Sequence, residues 1–444
     1  MSTAYADKSF WLKHAGPYQP NPPLEGEVEA DVAIIGGGYT GLATALNLRK
    51  DEPTLRVTVV EGSVVGFGAS GRNGGFNMTL FGLEPAVTKA LFGQARTVEA
   101  HRYMERAVDY TRDLVAQHKM QSDYEHPGFL RVATTPGFVR RIQHDMEILT
   151  QMGIGGLEWW EADRVRQQVD SPLFLGACWE PRCGLLDPAK HSRELKRVAQ
   201  EAGVVVYEET PVQSIARGQR FTLHTPKGNL SADNVVFATN AYSSLFPELR
   251  RKQIPAFTHM VVTEPLTAQQ LSTIGWKNRQ GLEDARNFVH YFRLTPDNRI
   301  AMGGSDVSIS FGGNMDRDLN PRVFADLERD VLRLFPGLEG IRFADRWGGP
   351  VSVPLDMAPA IGFVGDRRAI YSLGCVGHGV SMTHLNGRAI ADLLLGKDTD
   401  LTHVWFIGRR TIPWPPEPLR FVASQAIRGY MRAEDAVYER RMPR

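Results

Sequence analysis

Short, uniformly apolar runs alternate with longer amphipathic stretches through the first part of the chain, and that alternation predicts parallel strands joined by helices. Asp31-Val32-Ala33-Ile34-Ile35 is too brief for a helix of ordinary length and runs straight into three glycines, so it reads as a buried strand. A helical segment over 39–50 follows, and Arg56-Val57-Thr58-Val59-Val60-Glu61 is a second strand. Together they form one strand–helix–strand unit of roughly thirty residues. Further on, Asp187-Pro188 reads as a helix cap and first helical position: the carboxylate accepts an orphan amide proton, and proline has none to lose. That helix extends to Gly203, whose tolerance of the left-handed conformation suits a helix end. Three more strands are predicted at 204–207, 235–239 and 370–373, each ending in small residues of the kind found where open sheets bind ligands.

Between these pieces the texture changes. Residues 100–180 hold helical stretches such as 102–118, whereas 250–350 hold alternating, strand-like runs at 259–263, 287–294 and 300–303. This predicts a second domain inserted in two parts. Residues 1–26 are rich in proline and aromatics and read as an arm lying over the body. Pro413–Pro418 reads as a stiff, extended spacer. It precedes a C-terminal helix whose Leu419, Val422, Ile427, Tyr430 and Met431 form a rough apolar stripe, expected to pack against the protein's own body.

Composition narrows the partners. At 444 residues the chain exceeds a single core. A net charge of +1 gives no basic excess for nucleic acid. There is no apolar run of about 18 residues for a transmembrane segment, and residues 1–23 lack the apolar core of a secretory signal. Cys178, Cys183 and Cys375 show no paired spacing, which fits a reducing cytoplasm. The twelve histidines do not group at ligand spacings, so no metal site is expected. No pattern along the chain specifies an oligomeric state.

The chemistry enters with Gly36-x-Gly38-x-x-Gly41, placed between the first strand and its helix. Gly36 allows the tight turn, Gly38 lets a pyrophosphate approach the backbone, and Gly41 lets the helix pack on the strand. Tyr39 and Thr40 begin the helix, whose free amides and dipole suit phosphate. Glu61, followed by Gly62, ends the second strand where it can bind the adenosine ribose. A second glycine-rich loop, Gly66 to Gly75, exposes further amides through Gly68, Ala69, Gly74 and Gly75, while Ser70, Arg72 and Asn73 are expected to add side-chain donors to a pyrophosphate or ring. Phe76 closes that loop. A nicotinamide-only site has no evident use for such a loop, so the expected cofactor is FAD.

These motifs resemble the D-amino-acid oxidase, glycine oxidase and sarcosine oxidase superfamily of flavoproteins. The resemblance extends through Gly184–Pro188, Pro211-Val212, Ala238–Ala241, Trp347–Pro350, Pro359–Gly362 and Gly377-His378-Gly379. The Phe10-Trp11-Leu12 arm and the tail from 413 to 430 are similar to the γ-glutamylputrescine oxidoreductase branch. The fold this implies is α/β plus α+β: a Rossmann-like FAD-binding domain (27–99, 185–249 and 350–400) with a substrate domain on an antiparallel or mixed sheet (100–184 and 250–349). Residues 401–444 form the spacer and helix. The resemblance places Val212 by the adenine and gives Ala238, Asn240 and Gly348 to the cofactor. It also brings Gly374, Gly377, His378, Gly379, Val380 and Ser381 to the pyrimidine end of the flavin.

His378, Tyr291, Arg293 and His259 are the candidate catalytic residues. Tyr291 and Arg293 alternate on one strand face, with Phe292 on the other. The sarcosine oxidases hold flavin through a cysteine in the segment matching 347–356; this chain has none there, so the FAD is expected to be noncovalent. They also carry a lysine for the substrate carboxylate just after Gly-His-Gly, where this chain reads Val380-Ser381-Met382. The expected reaction is oxidation of a small-molecule amine, of polyamine-derivative type: hydride passes from the carbon beside a neutral nitrogen to flavin N5, and the imine hydrolyses to an aldehyde. Oxygen or an electron carrier then reoxidises the flavin. An amino-acid oxidase or dehydrogenase is the close alternative, and a noncatalytic flavin-binding subunit the distant one.

Overall fold

The computed structural model describes residues 5–315 and 317–439. Two eight-stranded sheets organise the molecule. The first is the parallel sheet anticipated from the apolar runs. Its central strand, Gly26–Ile35, pairs in parallel with Val57–Val60 on one side and with Gly228–Phe237 on the other. Val205–Tyr207 forms one edge and Asp366–Leu373 continues the other side, both in parallel register; Ala360–Val364 then pairs antiparallel beyond Asp366–Leu373, and Phe221–His224 and Ser214–Arg217 add an antiparallel extension to Gly228–Phe237. The helices Tyr39–Asp51, Pro188–Glu201 and Gly379–Leu394 cover it. This is a mixed α/β fold with a Rossmann-like sheet.

The central strand starts five residues before the apolar run. Glu27 and Glu29 are exposed on this extension, so alternation rather than continuous apolarity marks it. Asp187 does cap its helix, its side chain accepting from the amides of Ala189 and Lys190 at 2.9 Å.

The second sheet is mixed. Phe343–Val353, Ile254–Thr263, Ile300–Ser308, His290–Leu294 and Gly281–Asp284 run antiparallel in that order, and Gly281–Asp284 then pairs in parallel with Phe129–Ala133. Gly176–Glu180 and Glu158–Glu161 complete it.

Two terminal segments differ from expectation. The N-terminal segment is built into the core rather than laid over it: Phe10, Trp11 and Leu12 are buried with Ala189, Met260, Val262, Ala301 and Trp347, between the helix Pro188–Glu201 and the second sheet. On the helix Leu419–Glu439 the apolar stripe is split: Leu419 (61%) and Val422 (60%) are exposed, whereas Ile427, Tyr430 and Met431 border the large cavity described below. Polar contacts anchor this helix. Asp435 accepts from the amides of Asn287 (2.8 Å) and Phe288 (3.2 Å), Arg286 donates to Glu439 at 2.6 Å, and Arg428 and Arg432 grip Asp306. Buried ends for backbone donors and carboxylates outweigh the apolar stripe in setting its rotation.

Candidate active site

One cavity of about 1140 Å³ runs from the C-terminal ends of the parallel strands to the face of the second sheet. It exceeds a typical small-molecule pocket of roughly 300–1,000 Å³ and suits a dinucleotide together with a substrate.

At the sheet end the walls are those the fingerprint anticipates. Gly36 has φ +109°, and a Cβ there would lie 2.6 Å from the carbonyl oxygen of Ala238. A Cβ on Gly41 would lie 2.0 Å from the carbonyl of Gly36, so the helix can sit this close to the turn only without one. Gly36, Gly38, Tyr39, Thr40, Glu61, Gly62, Val212, Ala238 and Asn240 all line the cavity. Glu61 accepts from the amides of Gly37 (2.8 Å) and Ser63 (2.9 Å). Burial pushes its carboxyl above the ordinary range, against the pull of those amides. Hydroxyl donors such as a ribose edge would favour the charged form. A cradle bare of side chains beside a buried acceptor fits the adenosine diphosphate portion of FAD.

The second glycine-rich loop also lines the cavity, through Gly68, Ala69, Ser70, Arg72, Asn73, Gly74 and Phe76. Of its polar side chains, Arg72 and Asn73 are engaged within the protein, which corrects the expectation from sequence, whereas the Ser70 hydroxyl accepts from the Tyr39 amide and keeps its proton to donate. Arg72 donates to the carbonyls of Phe67 (2.7 Å) and Gly348 (3.3 Å) and pairs with Asp318 at 2.9 Å. Asn73 donates to Ala69 and Ser70 and accepts from Gly75. These groups brace the loop and dock it on the second sheet, leaving backbone amides for a cofactor. Gly75 and Gly348 are in the bracing, not in the cavity wall: Gly75 abuts the Leu186 carbonyl and Gly348 that of Asp318.

The segment before the helix Gly379–Leu394 reaches the cavity with Gly374, Cys375, Val376, Gly377, His378, Gly379 and Val380. Val376, a β-branched residue, has φ +47°. That backbone costs free energy and is held by its surroundings, as at other ligand sites. His378 donates from Nδ1 to the Val376 carbonyl at 3.1 Å, which leaves Nε2 as an acceptor. Burial lowers its pKa to about 4, so it is neutral at pH 7. Ser381 points away from the cavity and donates to the Met78 carbonyl at 2.7 Å.

Of the remaining candidates only Tyr291 lines the cavity. Arg293 is fully buried behind it, donating to the carbonyl of Leu186 at 2.7 Å with its guanidinium 5.6 Å from the Trp11 ring. The alternation is as read from sequence, but the carbonyls of Leu186, Leu294 and Gly74 hold the guanidinium inside the protein rather than toward a substrate. His259 is likewise fully buried, against Phe324 and the Arg317 carbonyl (3.3 Å), with Phe257–His259 carrying a register shift in the strand pairing. Neither reaches the cavity.

No motif in the sequence marks Glu84, Glu283 and Arg286, which line the cavity, Glu283 opposite Tyr291 in the strand pairing. The one local signal is an acidic pair, Glu283-Asp284, that ends the short buried strand Gly281–Asp284. The arginines on the wall are each paired: Arg72 with Asp318, Arg286 with Asp284 and Glu439, and Arg428 with Asp306.

A family model described as FAD dependent oxidoreductase (DAO) matches residues 31–393, and the chain belongs to that family. The protein is an FAD-dependent oxidoreductase. The gamma-glutamylputrescine oxidoreductase of Escherichia coli strain K12 is 32% identical over 415 residues, covering 92% of this chain and 95% of that protein. The crystal structure of glycine oxidase from Geobacillus kaustophilus superposes with a TM-score of 0.71 at 21% identity, covering 87% of this chain and 100% of that one. L-alpha-glycerophosphate oxidase from Mycoplasma pneumoniae, solved with FAD bound, gives 0.68 at 15% identity over 87% of this chain and 97% of its own. Among the described residues no helix is long and apolar enough to cross a membrane.

Proposed function

We propose that the protein oxidises the C–N bond of an aliphatic amine that bears no carboxylate on the reacting carbon, in the cytoplasm, with a γ-glutamylated diamine as the favoured substrate class. The supporting observation is the charge on the cavity wall. Each arginine there is already bound to a carboxylate, while Glu283, opposite Tyr291 in the strand pairing, lines the cavity with an oxygen that has no partner among the described residues. A carboxylate on the reacting carbon itself would lose its hydration there without gaining a cationic partner, whereas an ammonium group finds one; the glutamyl carboxylate of a γ-glutamylated diamine is set apart from the reacting carbon by the amide and the length of the diamine chain. The similarity to the Escherichia coli enzyme supports the diamine class.

When bound, FAD supplies the acceptor for the hydride lost by the carbon beside nitrogen. Gly36–Thr40, Glu61 and the loop from Gly66 to Gly74 would hold it. The protein's own residues do the rest. Tyr291 and Phe76 pack edge to face, with ring centroids 5.8 Å apart, and wall off the cavity between the loop and the second sheet. Neutral His378 offers Nε2 as an acceptor without adding charge that would repel an ammonium group. Water then hydrolyses the imine to an aldehyde.

Anaerobic reduction of the bound flavin by a panel of γ-glutamylputrescine, putrescine, N-methyl amines and amino acids tests this. γ-Glutamylputrescine should bleach it fastest. An amino acid that outpaces every amine by tenfold would replace this reading with that of an amino-acid oxidase.

A further inference from the structure

Glu283 occupies an unusual position for an acid. It lies on the strand Gly281–Asp284, opposite Tyr291 on one neighbouring strand and opposite Arg131 on the other. It is only 2% exposed, and its Oε1 has no hydrogen-bond partner among the described residues. It forms part of the wall between the large cavity and a smaller one of about 90 Å³ behind it.

The natural counter-ion is already engaged. Arg131 pairs with Glu84 and, at 3.1 Å, with Asp145. Three carboxyl groups therefore surround one guanidinium. Arg131 keeps Glu84 ionised despite its burial, while burial and the Glu84 charge raise Asp145. Burial pushes Glu283 up to about 8, with Glu84 and Asp284 adding to the rise and Arg131 opposing it. Tyr291, opposite it, has a hydroxyl that burial raises, and the same cavity wall carries neutral His378 and Arg286, which Asp284 and Glu439 neutralise. An unpaired buried carboxyl group is unfavourable unless something cationic joins it.

We propose that Glu283 receives the protonated nitrogen of the substrate and takes one proton from it. The step starts from ionised Glu283, the form that prevails above about pH 8 and that an arriving ammonium group favours, and it conserves charge: one N–H bond breaks, one O–H bond forms on the carboxylate, and the electron pair stays on nitrogen. An ammonium ion and a carboxylate become a neutral amine and a neutral acid, which frees the lone pair that oxidation of the adjacent carbon requires. A carboxyl group whose affinity for protons is raised toward that of an amine is suited to this exchange. The assignment rests on the amine-oxidation reading and names the group that recognises the amine.

The test uses the FAD-loaded enzyme and its E283Q and E283D variants. Binding is read first, from the absorbance change of oxidised flavin with putrescine and with 1,4-butanediol, an uncharged analogue of the same length. E283Q should weaken putrescine at least tenfold and leave butanediol unchanged; E283D should fall between. Anaerobic reduction by γ-glutamylputrescine is then followed from pH 6 to 10. E283Q should slow it about 100-fold or more and move the rising limb toward the pKa of a free alkylamine, near ~10. Equal putrescine affinity and an unmoved limb in E283Q would overturn the assignment while leaving amine oxidation standing. Failure of every amine to reduce the wild-type flavin would overturn the functional reading instead, and the putrescine–butanediol comparison would still decide whether Glu283 binds a cation.

Discussion

The Ser70 hydroxyl accepts a 3.1 Å hydrogen bond from the backbone amide of Tyr39, so the second glycine-rich loop is fastened to the first turn of the fingerprint helix. A Cβ on Gly38 would lie 2.9 Å from that hydroxyl. Gly38→Val should therefore displace the loop as well as fill the phosphate approach. The purified variant is expected to be colourless; a flavin-to-protein ratio equal to wild type would contradict the placement of the phosphates.

Noncovalent attachment of FAD is the second expectation. Cys375 is the cysteine that lines the cavity, and burial raises its thiol above the ordinary range, which disfavours the reactive thiolate. Acid precipitation should leave all the yellow colour in the supernatant. Flavin retained on the pellet of wild type, but not of Cys375→Ser, would show a bond this reasoning excludes.

Arg72 joins the loop to the second sheet through Asp318 and Gly348, and the Trp347 indole donates to its carbonyl at 2.8 Å. Removing a buried, paired guanidinium leaves its acceptors unmet. Arg72→Met should cost roughly 2–4 kcal/mol in urea-derived stability and weaken FAD retention in parallel. Intact stability with lost FAD would mean that the side chain serves the cofactor directly.

The neutral state of His378 has a sign that can be checked. Its folded pKa of about 4 lies below the unfolded value of about 6.5. The unfolded chain therefore binds more protons, and this residue's contribution to stability is lost as pH falls from 6.5 toward 4. The raised carboxyls of Asp145 and Glu283 act in the opposite sense, so a comparison with a variant isolates the histidine. Between pH 7 and pH 5, His378→Asn should gain on wild type by roughly 1–2 kcal/mol in the holoprotein, a figure reduced because the ring is partly exposed. Parallel urea midpoints at both pH values would show that the imidazole titrates normally.

For the C-terminal helix the polar anchors should matter and the exposed end of the apolar stripe should not. Asp435→Ala strands two amides and should destabilise by about 1–3 kcal/mol while raising KM, because Asn287 and Phe288 line the cavity. Val422→Ser, on the exposed face, should stay within about 0.5 kcal/mol of wild type. The opposite ranking would mean that this stripe is covered in solution.

The parallel sheet and its cofactor cradle were legible because local physics fixes them. The run 31–35, the glycines at 36, 38 and 41, Glu61 and the Asp187 cap each carry a signal within a few residues. The substrate side was not, because its residues meet only through strand pairing. Arg293 has the right spacing on its strand, yet the carbonyls of Leu186 and Gly74, remote in sequence, hold its guanidinium away from the cavity. Glu283 becomes conspicuous only once Arg131 is seen to be engaged by Glu84 and Asp145. The C-terminal helix misled for a related reason: an amphipathic pattern marks two faces, but the carboxylates and amides waiting at 284–306 select the one that docks.

The burial of Phe10, Trp11 and Leu12 also bears on how the chain is made. The surfaces that cover these side chains, at 189, 260, 262, 301 and 347, all lie further along the sequence, so the three are synthesised before anything that buries them. Until Trp347 has been made the aromatic segment has no complete seat, and its docking follows the pairing of the second sheet rather than guiding it.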